Sequence, residues 1–326
     1  MNHALNSAFP VALPVETHFI PLFFRLRFLW GDLAKQDNRK HLLEDIFSFT
    51  KIWIRHSEPE RDLKTVERFS LLRCQHREDE IAEKAQDFWT LVAGLFQQYA
   101  NLSNKLIAGD KSAFYRHLDL EMICDGIDNV RVIHMIRDGR DVCLSWRKIW
   151  SGPVSVASAA RLWREHIFKK RAWGRKNPDR YLEVRYEDYI QTPELWLERI
   201  ELFLSIPRQS IANGDELAGF TDMLSTSSTH ARIGQKIDPA NKDKWADQMP
   251  YADLLLFEAI AGDALQQCGY ATVSRTTALK RALLLALGVI YRFCEPLVAR
   301  YWKRLVKGAL PFFLWLRSSL RRAFTR

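Results

Sequence analysis

Ile136-Arg137-Asp138-Gly139-Arg140-Asp141-Val142-Cys143-Leu144-Ser145-Trp146 is the stretch on which the reading of this chain turns. It joins the end of an apolar run, Val130 to Ile136, to a glycine turn and the start of a helix. In open parallel sheets, ligands bind outside the carboxyl ends of the strands. Arg137 is expected at that edge with a guanidinium suited to bidentate phosphate contact, and Ser145 lies eight residues further on, within the new helix. The alternative is that Arg137, Asp138, Arg140 and Asp141 cap the helix and pair with one another at the surface.

Working outward, Lys105 to Ala108 and Tyr181 to Tyr186 are further strand candidates. Between the second and third strands, Val154 to Arg175 is long enough to be the helical crossover that parallel strands require. The expectation is an α/β fold with a parallel sheet flanked by helices. Asn38 to Arg55 and Glu78 to Tyr99 have apolar residues at helical spacing. Thr192-Pro193 opens another helix, with Trp196, Ile200 and Phe203 on its buried face, and a last one over Tyr251 to Cys268 stops at Gly269. Composition changes beyond Thr272, so two units are expected: an α/β domain over 1–273 and a basic, amphipathic helical tail over 274–326.

At 326 residues with 47% apolar content, the chain can bury one or two cores, which excludes a disordered polymer. Its five cysteines are spaced 50, 19, 125 and 26 residues apart, so no Cys-x-x-Cys pair or other metal-ligand spacing is present and no metal is expected. The net charge of +9 is uneven: residues 275–326 carry twelve Lys and Arg against Glu295 alone, leaving −2 for the rest. That distribution argues against nucleic acid along the whole surface. Residues 278–324 interleave Leu, Phe and Trp with the basic side chains, which fits an anionic membrane surface and equally an appended hairpin with solvated charges. Met1 to Pro14 lacks the charged and apolar regions of a signal peptide, so the expected location is cytoplasmic, with the tail offering peripheral membrane attachment.

Arg137-Asp-Gly-Arg-Asp-Val-x-x-Ser145 resembles the 3'-phosphate-binding motif of sulfotransferases that use 3'-phosphoadenosine 5'-phosphosulfate (PAPS). Ala108-Gly-Asp-Lys111-Ser is similar to the family's lysine-bearing segment after a strand, and Val184-Arg-Tyr186-Glu-Asp188 followed by Pro193 to its R-Y-E-D-x-x-x-x-P segment. Phe203-Leu-Ser-Ile206 resembles F-L-G-I, and Lys236-Ile-Asp-Pro-Ala-Asn241 with Trp245 and Gly269-Tyr270 resembles the closing K-x-x-N…W…G-Y. The likeness covers roughly residues 8 to 272. It implies a P-loop-like fold that moves a sulfuryl group from PAPS to a hydroxyl or amine, with Arg137, Ser145, Tyr186, Lys236 and Lys111 toward the donor. For Lys111 a surface ion pair, and for Tyr186 a packed strand aromatic, are the alternatives. A Walker A reading of Lys111-Ser112 fails, because Asp110 precedes the lysine and no earlier glycine stands at the required place.

Glu16-Thr17-His18-Phe-Ile-Pro21 resembles the E-T-x-x-x-P segment of protein-tyrosine and related sulfotransferases. The resemblance implies that Glu16 deprotonates the acceptor, with His18 as its orienting partner or as the base itself; a solvent-facing glutamate at a helix end is the alternative. Such families open with a strand and a phosphosulfate loop of the form P-R-S-G-T-T, and no such segment occurs here. Met1 to Pro10 resembles the tail of the helix after that loop, which leads to the expectation that the first strand and loop are missing, through a start placed too late or a gene in decay. Two functions then compete: PAPS-dependent transfer to a hydroxyl-bearing acceptor, impaired in this chain, and a non-catalytic PAP-binding or interaction protein derived from a sulfotransferase. The acceptor's identity is not written in any motif.

Overall fold

The computed structural model describes residues 2–57, 63–112, 115–147, 153, 155–208 and 237–273. The expected tail 274–326 and the candidate Lys236 lie outside them. In chain order the elements are α1 (Asn2–Ala8), β1 (Val11–Ala12), α2 (Ile20–Leu26), α3 (Gln36–Ser57), α4 (Leu63–Arg68), α5 (Glu78–Lys84), α6 (Phe88–Leu102), β2 (Ile107–Ala108), α7 (His117–Gly126), β3 (Val132–Ile136), α8 (Gly139–Trp146), α9 (Val156–Lys176), β4 (Tyr181–Arg185), α10 (Tyr186–Gln191), α11 (Pro193–Leu204), α12 (Trp245–Gln248) and α13 (Tyr251–Gln267).

The strands form two parallel pairs. β1 lies beside β2 with Val11 opposite Ile107, and β3 beside β4 with Ile133 opposite Leu182 and Ile136 opposite Arg185. The expected parallel arrangement is therefore present, but as two pairs that no described strand joins. Both pairs rest on one small core under α1 and α11, where Leu5, Phe9, Val11, Leu13, Leu197 and Ile200 are buried against Ile107, Ile133 and Leu182. Side chains alternate along a strand, so Ile133 faces that core while Ile136 faces the opposite layer of α8, α9 and α13 with Trp163, Phe257 and Leu265. A third core, built on Phe19, Phe23, Leu42, Ile46, Leu91 and Leu95, packs α2, α3, α5 and α6 over the β1–β2 side.

Local chemistry explains most boundaries. The helix expected over Glu78 to Tyr99 is in fact two, because Ala85 is extended (ψ 155°) and Asp87 starts a new helix. Asp87 accepts from Thr90 N while Thr90 Oγ1 accepts from Asp87 N, a reciprocal capping box that outweighs the continuous apolar period. α13 ends as expected at Gly269, whose φ of +77° favours glycine. Gly139 is needed for a different reason: a Cβ there would lie 2.5 Å from Trp163 and 2.8 Å from Phe257, where α8 crosses α9 and α13. Gly139→Ala is expected to destabilise the fold by about 1–3 kcal/mol through overpacking, measured by urea unfolding.

His134, in the middle of β3, is buried with Nδ1 against the Tyr181 hydroxyl. Burial, reinforced by Lys170, His166 and Arg171, pushes its pKa well below 6.5. Burial also lowers His18, against a smaller raising effect of Asp110. A group depressed in the folded state binds protons more readily once unfolded, so stability is lost as pH falls from about 6.5 toward the folded values. The melting temperature is expected to drop between about pH 6.5 and 5, and His134→Gln to flatten that drop.

Candidate active site

β3 delivers Arg137 to its carboxyl end, as expected. The guanidinium donates from one nitrogen to Asp141 Oδ2 (2.9 Å) and to the Asn241 carbonyl (3.3 Å), and its plane lies over Tyr186, 4.7 Å from the ring centroid. Asn241 Nδ2 donates to the Tyr186 hydroxyl at 2.6 Å, and Trp245 N to Asp141 Oδ1 at 2.9 Å. The stretch from Asn241 to Trp245 is thus docked on the 137–141 turn, which brings together Arg137, Tyr186 and the described part of the closing motif. Arg137 Nε is buried without a hydrogen-bond partner. A donor held in this way is suited to an oxygen-rich ligand, because leaving it unmet costs free energy. Ser145 is exposed on α8 four residues beyond Asp141, hence on the same helical face.

The four charges of the turn are not the surface network that the alternative describes. Asp138 and Arg140 are 1% and 2% exposed. Asp138 caps α8 through Arg140 N (2.9 Å), and the Arg140 guanidinium lies between Asp138 (2.7 Å) and Glu258 (2.7 Å) with its plane 3.5 Å from the Trp245 ring centroid. Arg140 is internal scaffolding, and Arg137 is the arginine left at the edge. Alongside is a cavity of about 360 Å³ lined by Arg185, Glu187, Lys242, Trp245 and Tyr270, where Arg185 Nε and Trp245 Nε1 are also buried donors without partners.

The carboxyl ends of β1 and β2 carry a second cluster. Glu16 Oε2 meets His18 Nε2 at 2.8 Å, and Glu16 Oε1 pairs with Lys111. His18 Nδ1 lies 3.2 Å from Ser112 Oγ. His18 adopts φ +55°, a conformation that costs a non-glycine residue about 1–3 kcal/mol and persists only where surroundings enforce it. Its ring packs against Trp53 at 4.6 Å between centroids. Beneath, Asp110 accepts from Thr17 Oγ1 (3.0 Å) and from the Tyr115 hydroxyl, while its Oδ1 is buried without a partner. Burial raises the Asp110 carboxyl above its ordinary value. Desolvation lowers Lys111 to about 8.

Glu16, His18 and Lys111 therefore form one cluster, with Lys111 beside Glu16 rather than beside Arg137. Sequence reasoning passed over Asp110 and gave Ser112 no role in this cluster; both lie in the short stretch after β2, and their proximity to Thr17 and His18 depends on how β1 pairs with β2. Among the described residues no group of three or more His, Cys, Asp or Glu side chains is placed to hold a metal ion.

The site thus comprises a strand-end arginine with an unmet donor beside Tyr186 and Asn241, and a separate carboxylate–imidazole–ammonium cluster. The chain belongs to the sulfotransferase family, whose model matches residues 1–210. It is 27% identical over 151 residues to protein-tyrosine sulfotransferase 1 of Danio rerio, a match covering 44% of this chain and 42% of that protein. The chain thus spans less than half the length of that relative. Its fold is similar to the sulfotransferase domain of the Synechococcus PCC 7002 olefin synthase, with TM-score 0.53, 21% identity, and coverage of 83% of this chain and 90% of that one.

Proposed function

We propose that the protein transfers a sulfuryl group from PAPS to a hydroxyl-bearing acceptor, with Arg137 holding the donor's 3'-phosphate and the Glu16–His18 pair taking the acceptor's proton. The buried, unmet Nε of Arg137 carries this reading, since family membership alone names neither donor nor acceptor. The donor fits the residues present: Arg137 offers a charged donor to an anion, Ser145 stands on the adjoining face of α8, and Tyr186 and Asn241 complete the corner. Sulfuryl transfer resembles phosphoryl transfer in needing an in-line nucleophile, a base and cations around the leaving group. Lys111, fixed by Glu16, is the cation nearest the base.

We read the two parallel pairs, which no described strand joins, as parts of one P-loop-like sheet. The second reading is a PAP-binding protein without turnover, which the same Arg137 corner would serve. Mass spectrometry of a hydroxyl acceptor incubated with PAPS and the protein separates the two. Sulfated acceptor whose formation falls about 10²-fold or more in Glu16→Gln is the expected result for the enzyme. PAP binding with no sulfated acceptor would leave only the second.

A further inference from the structure

Ser112, His18 and Glu16 form an ordered chain of hydroxyl, imidazole and carboxylate, with Ser112 Oγ 3.2 Å from Nδ1 and Glu16 Oε2 2.8 Å from Nε2. An ionised carboxylate only accepts, so in the neutral ring Nε2 carries the hydrogen and Nδ1 keeps its lone pair. Ser112 is then the donor to Nδ1. The second oxygen of Glu16 is held by Lys111, which fixes the carboxylate in place. The imidazole is fixed by the tilted Trp53 ring packed against it and by its left-handed backbone. Among the described residues, Glu16 pairs with the ring and Asp110, on the β2 side, acts on its charge.

We propose that Ser112 is a positioning residue whose hydroxyl occupies, in the acceptor-free protein, the place on His18 Nδ1 that the acceptor's hydroxyl takes during transfer. The proton acceptor is then His18 Nδ1, with Glu16 acting through Nε2. In the step itself the acceptor's O–H bond breaks and its proton passes to Nδ1. The acceptor oxygen forms the new O–S bond, and the S–O bond to the PAPS phosphate breaks with its electron pair left on that phosphate. Glu16 balances the imidazolium that results. Ser112 must leave Nδ1 before an acceptor can bind there, so the chain is protected from presenting a bare base to water, and every acceptor competes with an internal hydroxyl. The chemistry rests on the proposed sulfuryl transfer, whereas the placement of Ser112 does not.

The test uses the full chain, phenol as a soluble single-hydroxyl probe, and nitrogen-15 NMR of the His18 ring assigned with His18→Asn. Ser112→Ala is expected to move the Nδ1 resonance toward that of an unbonded lone pair, and phenol to move it back. Phenol should bind Ser112→Ala about three- to tenfold tighter than wild type, the scale of one neutral hydrogen bond. Ser112→Thr, which keeps the hydroxyl, should match wild type. A structural role for Ser112 would weaken phenol binding or leave it unchanged, and either result, or an Nδ1 resonance indifferent to Ser112→Ala, overturns the proposal. If PAP fails to bind while phenol still competes with Ser112, the transfer reading falls and this placement stands; PAP binding without competition removes the placement alone.

Discussion

Arg140→Met lowers the stability of the protein by about 3–5 kcal/mol in urea unfolding at neutral pH, the cost of removing one partner from a buried ionic group. Methionine approximates the volume of the arginine stem, so packing under Trp245 is largely kept. What is lost is the charge between Asp138 and Glu258, whose side chains are 2% and 1% exposed. Both carboxylates would be left in an apolar layer made by α8, α9 and α13, with Asp138 retaining its bond from Arg140 N and Glu258 its bond from Val273 N. Adding Asp138→Asn and Glu258→Gln to Arg140→Met removes the stranded charges and should restore most of the loss. If the single and triple variants are equally unstable, the deficit comes from packing rather than from unpaired charge.

Arg137→Ala has a different profile. Arg137 is partly exposed, but its partner Asp141 is buried and would keep only the bond from Trp245 N, so the stability loss should be about 1–3 kcal/mol, smaller than that of Arg140→Met. Affinity for PAP should fall about 30- to 150-fold, equivalent to roughly 2–3 kcal/mol for a charge-assisted contact to phosphate. Arg137→Lys should recover the charge but not the forked geometry, and hence only part of the affinity. Calorimetric titration alongside urea unfolding checks both halves: a variant that loses as much stability as Arg140→Met would make Arg137 scaffold, like Arg140.

The contrast between these two arginines marks the limit of what the sequence makes legible. The strand–turn–helix at 136–146, the parallel strands, the crossover helix and the stop at Gly269 follow from local chemistry, and the structure has them. The link of His18 to Glu16, and of Asn241 and Trp245 to the Arg137 motif, rests on the family resemblance rather than on local chemistry, and these residues do meet. The motif assigns Arg137 to the edge, but the buried duty of Arg140 could not be read, because Glu258 lies 118 residues from it. Ser112 and Asp110 meet the Glu16 segment across 93 or 94 residues, through strands only two residues long. Strands of that length show no alternation, which is why Val11–Ala12 gave no signal as β1.

The central claim is that the Arg137 corner holds a nucleotide by its 3'-phosphate, and calorimetric comparison of PAP with 5'-AMP, which lacks that phosphate, tests it most directly. The account predicts that wild-type protein binds PAP at least about 30-fold more tightly than 5'-AMP and that Arg137→Ala erases the difference. Equal affinity for the two nucleotides, or a preference for PAP that survives Arg137→Ala, would contradict it.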